Sequence, residues 1–470
     1  MPNTYVNKVE LANGETVIDI TDTTAQASDV AEGKYFYAAN GQKMSGTAVP
    51  GGGGTAVIVD TTDAAGGTIR TISTEDEIYL ESLSVTSNGT YTPSSGHAYN
   101  SVAVDVQGGG GITVDDIAMK TLSGSIEGNA ENIGNYAFYY YSNIINASFP
   151  SCTNISTYAF AGCSSLLSIS FPECTTIGIN AFGYCTNLVS VNFPKCVSLG
   201  TNAFNNCSNL VSVSFPLCTS IGNYAFSKCI NLESANFPSC TTLGQGTFFS
   251  CANLVSVSFP LCTSIGATGF VYCSSLKIAS FPSCQSIGLR AFDGCINLET
   301  ANFPVCSYIS ESAFDSCANL ISVSFPLCVS ISGYAFAGCS RLLSIRLIKC
   351  ASIGASAFLN CELLGTAIFS HVSTTASIYG YAFRNCYNLL SLYLLASYMY
   401  RLGVSSTTFS YTPISNYTTS TGGVYGSIFV PESLYSQYIA STNWSYFSSR
   451  FVALTASEVQ HVLDYGTHVM

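Results

Sequence analysis

The sequence predicts an α/β repeat solenoid, and three observations point to it: a Phe-Pro-x-Cys phrase returning every 22 residues, a second phenylalanine series with the same step, and a composition poor in charge. The first phrase stands at Phe149, Phe171, Phe193, Phe215, Phe237, Phe259, Phe281, Phe303 and Phe325, with Leu347 and Phe369 holding the register in degenerate form. The second series, usually preceded by Ala, runs from Phe138 through Phe160 and Phe182 to Phe358. So constant a step tolerates no insertion, which implies that each unit lies on the one before it. Only 9% of the 470 residues are charged and 47% are hydrophobic, a balance that suits a β-rich repeat protein better than an enzyme of ordinary composition.

Spacing within one unit assigns its parts. From Leu166 the apolar and cysteine positions are Leu166, Ile169, Phe171, Cys174, Ile177, Phe182 and Cys185, which is leucine-rich repeat spacing. A short strand near Ser168 to Phe171 points alternate residues inward. The return limb, around the Ala-Phe pair, is expected to be turns with a short helical or 3₁₀ piece. One coil cannot bury both its faces, so stability must come from its neighbours.

This grammar, AFxxC followed by xNL and xSVxFP, resembles the BspA-like leucine-rich repeats of bacterial and phage surface proteins over about residues 122 to 394. The resemblance implies adhesion and binding, not catalysis. The unit is 22 residues long, about one shorter than is common in that family.

All 21 cysteines belong to the repeat: ten follow the FPx element, from Cys152 to Cys350, and eleven follow the Phe series, from Cys163 to Cys386. A thiol is a small apolar filler and a weak donor, so interior packing is the expectation for both sets. A disulfide ladder fits poorly, because equivalent thiols on adjacent coils would sit about 4.8 Å apart in parallel orientation. Metal binding fits worse: no CxxC occurs, and His97, His371, His461 and His468 are scattered. No metal or cofactor is expected.

Glycine runs divide the N-terminal part. Gly-rich linkers at residues 50–54 and 108–112 separate a module at 1–49 from a small β-rich module at 55–107, and the solenoid is expected at 113–394. The phrases GKYFYAANGQKMSGT and NGTY…YNSVAVDV resemble segments of tail fibres and receptor-binding proteins of phages infecting Gram-positive gut bacteria. That resemblance implies attachment to other phage tail proteins through the N-terminus. At the other end, residues 395–470 change composition, and GSIFVPESLYSQYIASTNWSYFSSRFVAL resembles a closing element. Pro431 at a helix start, then Leu434, Tyr438 and Trp444, suggests a helical cap over the otherwise open last coil.

Charge excludes several functions. The formal net charge is −12, of which residues 1–112 carry 13 acids against 4 bases, so no basic stripe is available for nucleic acid or an anionic membrane. No apolar run reaches the roughly 18 residues of a membrane span, and MPNTYVNKVELANGE lacks the basic and apolar parts of a secretion signal. Together with the tail-fibre resemblance, this predicts a virion protein assembled in the host cytoplasm. No GxSxG, HExxH or P-loop occurs, so the chain is read as non-enzymatic.

Two surfaces are candidates for binding a bacterial surface glycan or protein receptor. Small hydroxylated residues such as Ser168, Ser190, Ser212 and Ser234, with Asn192 and Asn236, give the strand face an uncharged polar ribbon beside a more varied slot that runs from Glu173 to His371. The second is the aromatic C-terminal tract, where Tyr393, Tyr398, Tyr400, Arg401, Tyr411, Tyr417 and Tyr425 offer ring faces for stacking. The expected function is a phage tail fibre for host adhesion, with trimerisation as a possible oligomeric form. The alternatives are a BspA-like adhesin on a bacterial cell surface and a purely structural virion spacer or decoration.

Overall fold

The computed structural model describes residues 124–403, 405–415 and 425–466, together with the backbone of short strands within the first 104 residues. Those early strands pair antiparallel: Lys8–Glu10 with Thr16–Asp19, Tyr35–Tyr37 with Lys43–Ser45, Val57–Thr62 with Thr68–Ser73, and Gly89–Tyr91 with Val102–Val104. The expected attachment modules and linkers otherwise lie outside the described residues. By contacts the chain divides into two compact units, Met1–Phe193 and Pro194–Met470.

The coils of each unit form a parallel β-solenoid. In the first unit Ser168–Ser170 pairs with Asn146–Ser148 on one side and Ser190–Asn192 on the other, each residue opposite its equivalent 22 positions away. A second, two-residue strand at Thr176–Ile177 pairs with Asn154–Ile155. In the second unit this short-strand ladder runs through ten strands, from Ser198–Leu199 to Arg401–Leu402. A 22-residue period read from the sequence is therefore one turn of backbone, because in-register pairing is what a constant step allows.

Inside, the two phenylalanine series become two columns. Phe160 stacks on Phe182 at 5.2 Å and Phe149 on Phe171 at 5.5 Å in the first unit. In the second, Phe270, Phe292 and Phe314 follow one another at 5.1 Å with nearly parallel rings. Between columns the rings meet edge to face, as Phe292 and Phe303 do at 69°. Both arrangements are the ones that the ring quadrupole favours.

The return limb differs from the expected helical piece. It is a run of linked turns, in which residues two before and two after the column Phe are left-handed: Asn202 and Asn206 at φ 56° and 60°, Tyr224 and Lys228 at 55° and 60°. Alternate N–H groups leave the coil altogether, so that Asn202, Phe204 and Asn206 donate to the carbonyls of Asn223, Ala225 and Ser227 on the next one. Size explains the choice. A helix with its side chains is about 10 Å across, whereas these coils repeat at the spacing of strands, about 4.8 Å. A flat run of turns fits that spacing. Left-handed backbone costs roughly 1–2 kcal/mol per non-glycine residue, and the inter-coil hydrogen bonds offset it.

The register also continues beyond residue 394, where the solenoid was expected to end. Phe383 comes three residues late, yet it stacks on Phe358 at 5.2 Å, because the extra residues are taken up in the loop before Ser377–Ile378. Phe409 extends the column at 5.5 Å. Ser391–Leu394 then pairs with Ser427–Pro431, and that strand with Phe451–Leu454.

Beyond Pro431 a helix spans Glu432–Ala440 and buries Leu434 and Tyr438. Trp444 and Phe447 lie 6.0 and 5.2 Å from the Phe409 ring, where another coil would have placed its phenylalanine. The last helix, Ala456–Tyr465, opens with a capping box between Thr455 and Glu458. Its Val462 joins Ile368, Tyr393, Leu395 and Leu454 in a small core. Among the described residues no helix is long and apolar enough to cross a membrane.

Candidate binding surface

Thiols are ordinarily among the most reactive side chains of a protein. All 21 are free and buried. The set after FPx bonds within its own coil, Cys218 donating to the Ser220 carbonyl at 3.3 Å. The other set reaches the neighbouring coil, Cys229 donating to the Phe204 carbonyl at 3.2 Å and Cys251 to that of Phe226 at 3.1 Å. Burial pushes the Cys218 and Cys262 thiols up to about 11 and Cys229 to about 12. At neutral pH these three are protonated donors to backbone carbonyls. Among the described residues no group of three or more His, Cys, Asp or Glu is placed to hold a metal ion.

On the strand face the polar ribbon is exposed or half-buried, and part of its hydrogen-bonding capacity is used between coils. Asn192 Nδ2 donates to Ser170 Oγ at 3.2 Å, and Asn236 Nδ2 to Ser214 Oγ at 3.3 Å. Aliphatic side chains flank this strip in the second unit: Val211, Val255 and Leu343 precede the strands, while Leu217 and Leu261 follow them, all exposed. Sequence reading had Leu217 and Leu261 in its varied slot but passed over Val211, Val255 and Leu343. Their signal was present in the NLV phrases of Val211 and Val255, the RLL phrase of Leu343 and the FPL phrases of Leu217 and Leu261. The varied slot ends differently from expectation, because His371 is buried against Tyr400, with ring centroids 4.3 Å apart. Its Nδ1 accepts from the Ser373 N–H, its Nε2 has no partner, and burial lowers its pKa.

The structure splits the predicted aromatic set. Tyr400 is fully buried: its hydroxyl donates to the Cys350 carbonyl, its N–H bonds to the Tyr438 hydroxyl, and its carbonyl accepts from Trp444 Nε1. Tyr393 stacks on Phe429 at 4.4 Å beneath the last helix. Both are packing residues, a correction to their expected surface role, because later segments of chain cover them. Tyr398, Arg401, Tyr411 and Tyr425 remain exposed, and Tyr417 lies outside the described residues.

Two arginines that sequence reading passed over complete this surface. The Arg450 guanidinium sits 3.8 Å from the Tyr425 ring centroid. Arg384 lies between Tyr381 and Tyr411, 5.4 and 5.9 Å from their centroids. No signal could have paired Arg384 with Tyr411, since the intervening step departs from the repeat.

Stacked in-register coils, two strand ladders, interior phenylalanines and solvent-facing polar strips define a leucine-rich repeat protein. The chain belongs to the BspA type leucine rich repeat region family, whose model matches at residues 131–255, 198–320, 263–390 and 307–422. Among solved structures it is similar to a leucine-rich repeat protein from Bacteroides ovatus, with 21% identity over 84% of this chain and 98% of that one and a TM-score of 0.48. A leucine rich cell surface protein from Faecalibacterium prausnitzii is 23% identical over 66% of this chain and 96% of that one, with a TM-score of 0.32. The pneumococcal vaccine antigen PcpA is 15% identical, covering 78% of this chain and 98% of its own, with a TM-score of 0.38. Likeness at this level concerns the fold alone. No curated protein gives a significant match.

Proposed function

We propose that this protein is a non-enzymatic adhesion protein that binds a receptor on a bacterial surface, carried as a fibre on a phage tail. One observation supports the reading most: the thiols and column phenylalanines of the coils are interior, while tyrosine faces and arginines gather outside on the terminal coils. Rings beside guanidinium groups suit saccharide or protein contact, because stacking and hydrogen bonding are offered together. The tail setting rests on the likeness of the N-terminal phrases to tail-fibre segments, with that end joining the tail.

A bacterial cell-surface adhesin is the second reading, and family membership favours it equally. Neighbouring tail-assembly genes would favour the first reading, and an exported, wall-bound product the second. Adhesion itself is tested by binding of purified protein to intact Gram-positive gut bacteria. Point substitutions are preferable to deleting residues 395–470, since Tyr400, Phe409 and Trp444 are part of the packing. Binding should fall severalfold when Tyr398, Tyr411 and Tyr425 are together replaced by Ala; unchanged binding would remove this surface from consideration.

A further inference from the structure

We propose that Tyr381, Arg384 and Tyr411 form a binding site for an anionic saccharide, one whose ring carries a carboxylate or a phosphate. This deepens the adhesion reading and rests on it for the biological setting.

The site is built from two coils. Tyr381 stands two residues before column residue Phe383, and Tyr411 stands two after Phe409, both held left-handed at φ 60°. Arg384 follows Phe383 directly, and its guanidinium carbon lies within 6 Å of both rings. Both tyrosines are about 40% exposed, at 41% and 40%. Among the described residues Arg384 has no carboxylate partner, and its Nε is buried without a hydrogen bond.

A regular coil shows what neutralisation looks like. There Arg290 stands two before Phe292, and Asp293 occupies the slot equivalent to Arg384, so the two close an ion pair at 2.5 Å. In the Phe383 coil the acid is replaced by arginine and the arginine by tyrosine. The charge is left for something else to meet. Its surroundings agree, since residues 371–450 contain three arginines, Arg384, Arg401 and Arg450, against one acid, Glu432, in a chain of net charge −12.

Ligand class follows from the donors. A planar guanidinium fork takes carboxylate or phosphate oxygens in pairs, and flanking rings hold the fork in place before the ligand arrives. Exposed tyrosine faces suit the C–H face of a sugar ring.

The test is calorimetric titration of the full chain with tri-galacturonate, with glucose 6-phosphate, and with maltotriose as the neutral control. At least one acidic probe should bind saturably, at least tenfold more tightly than maltotriose, and the stronger of the two identifies the anion. Arg384→Ala should weaken it tenfold or more, Arg384→Lys less, and Arg290→Ala not at all, with melting curves showing that each variant folds. Equal binding of maltotriose, no binding of either acidic probe, or unchanged binding by a folded Arg384→Ala protein overturns the site. Adhesion to whole cells is measured in parallel. Cells bound without either acidic probe would leave adhesion standing and remove the site; acidic probes bound without cells would do the reverse.

Discussion

Between Pro194 and Cys361 and between Ser370 and Leu454, the same ladder of coils is held together by different kinds of side chain. In the first stretch each coil repeats the contacts of the last: column rings at 5.1–5.9 Å and a thiol donating to a neighbouring carbonyl. In the second, single contacts take over. Trp444 Nε1 bonds to Tyr400, Tyr400 to Cys350, and Asn443 to the carbonyls of Leu402 and Gly403. Repetition makes stabilising contacts interchangeable, whereas the end of a stack has to be closed by residues that occur once. Those residues also bring arginine and tyrosine together outside the repeat pattern.

Breaking the column should give the largest effect. Phe292→Ala removes a ring packed on both sides, and urea denaturation should show a loss of about 3–5 kcal/mol. A cost under about 1 kcal/mol would mean that the stacked rings are not what holds adjacent coils together. Next comes a contact unique to the terminal coils. Tyr400→Phe strands the buried Cys350 carbonyl and should cost about 1–3 kcal/mol in the same measurement.

A smaller, pH-dependent difference is expected from His371. Because burial lowers its pKa in the folded chain, the unfolded chain takes up the proton first as pH falls below the ordinary 6.5. Stability is then complete above pH 6.5 and declines below it, by at most about 1.4 kcal/mol per pH unit, until the folded form also titrates. Melting curves of His371→Gln should lack that decline. Smallest of all is Tyr398→Ala, at an exposed site, which should move stability by less than about 0.5 kcal/mol.

Much of the repeat was legible because its signal is summed over many copies. The positions of Phe292 and Cys229 in a strict period say that they face inward, and both do. Turns were expected on the return limb, but their left-handed backbone at Asn202 and Asn206 was not legible. Left-handed slots accept Asn, Tyr, Lys, Ser or Gly from coil to coil, so no residue type marks them. Tyr393 and Tyr398 look alike in a Ser- and Tyr-rich tract; one is covered by a helix that begins more than sixty residues later, the other by nothing described.

By itself the sequence determined the period, the parallel register and the inward thiols and rings, because a constant step constrains every copy in the same way. Tertiary structure alone decided that the column extends to Phe409, that Tyr393 and Tyr400 are interior, and that Arg384 lies between two tyrosines. Those outcomes depend on contacts between segments whose separation follows no repeat, and such contacts leave no pattern in a single sequence.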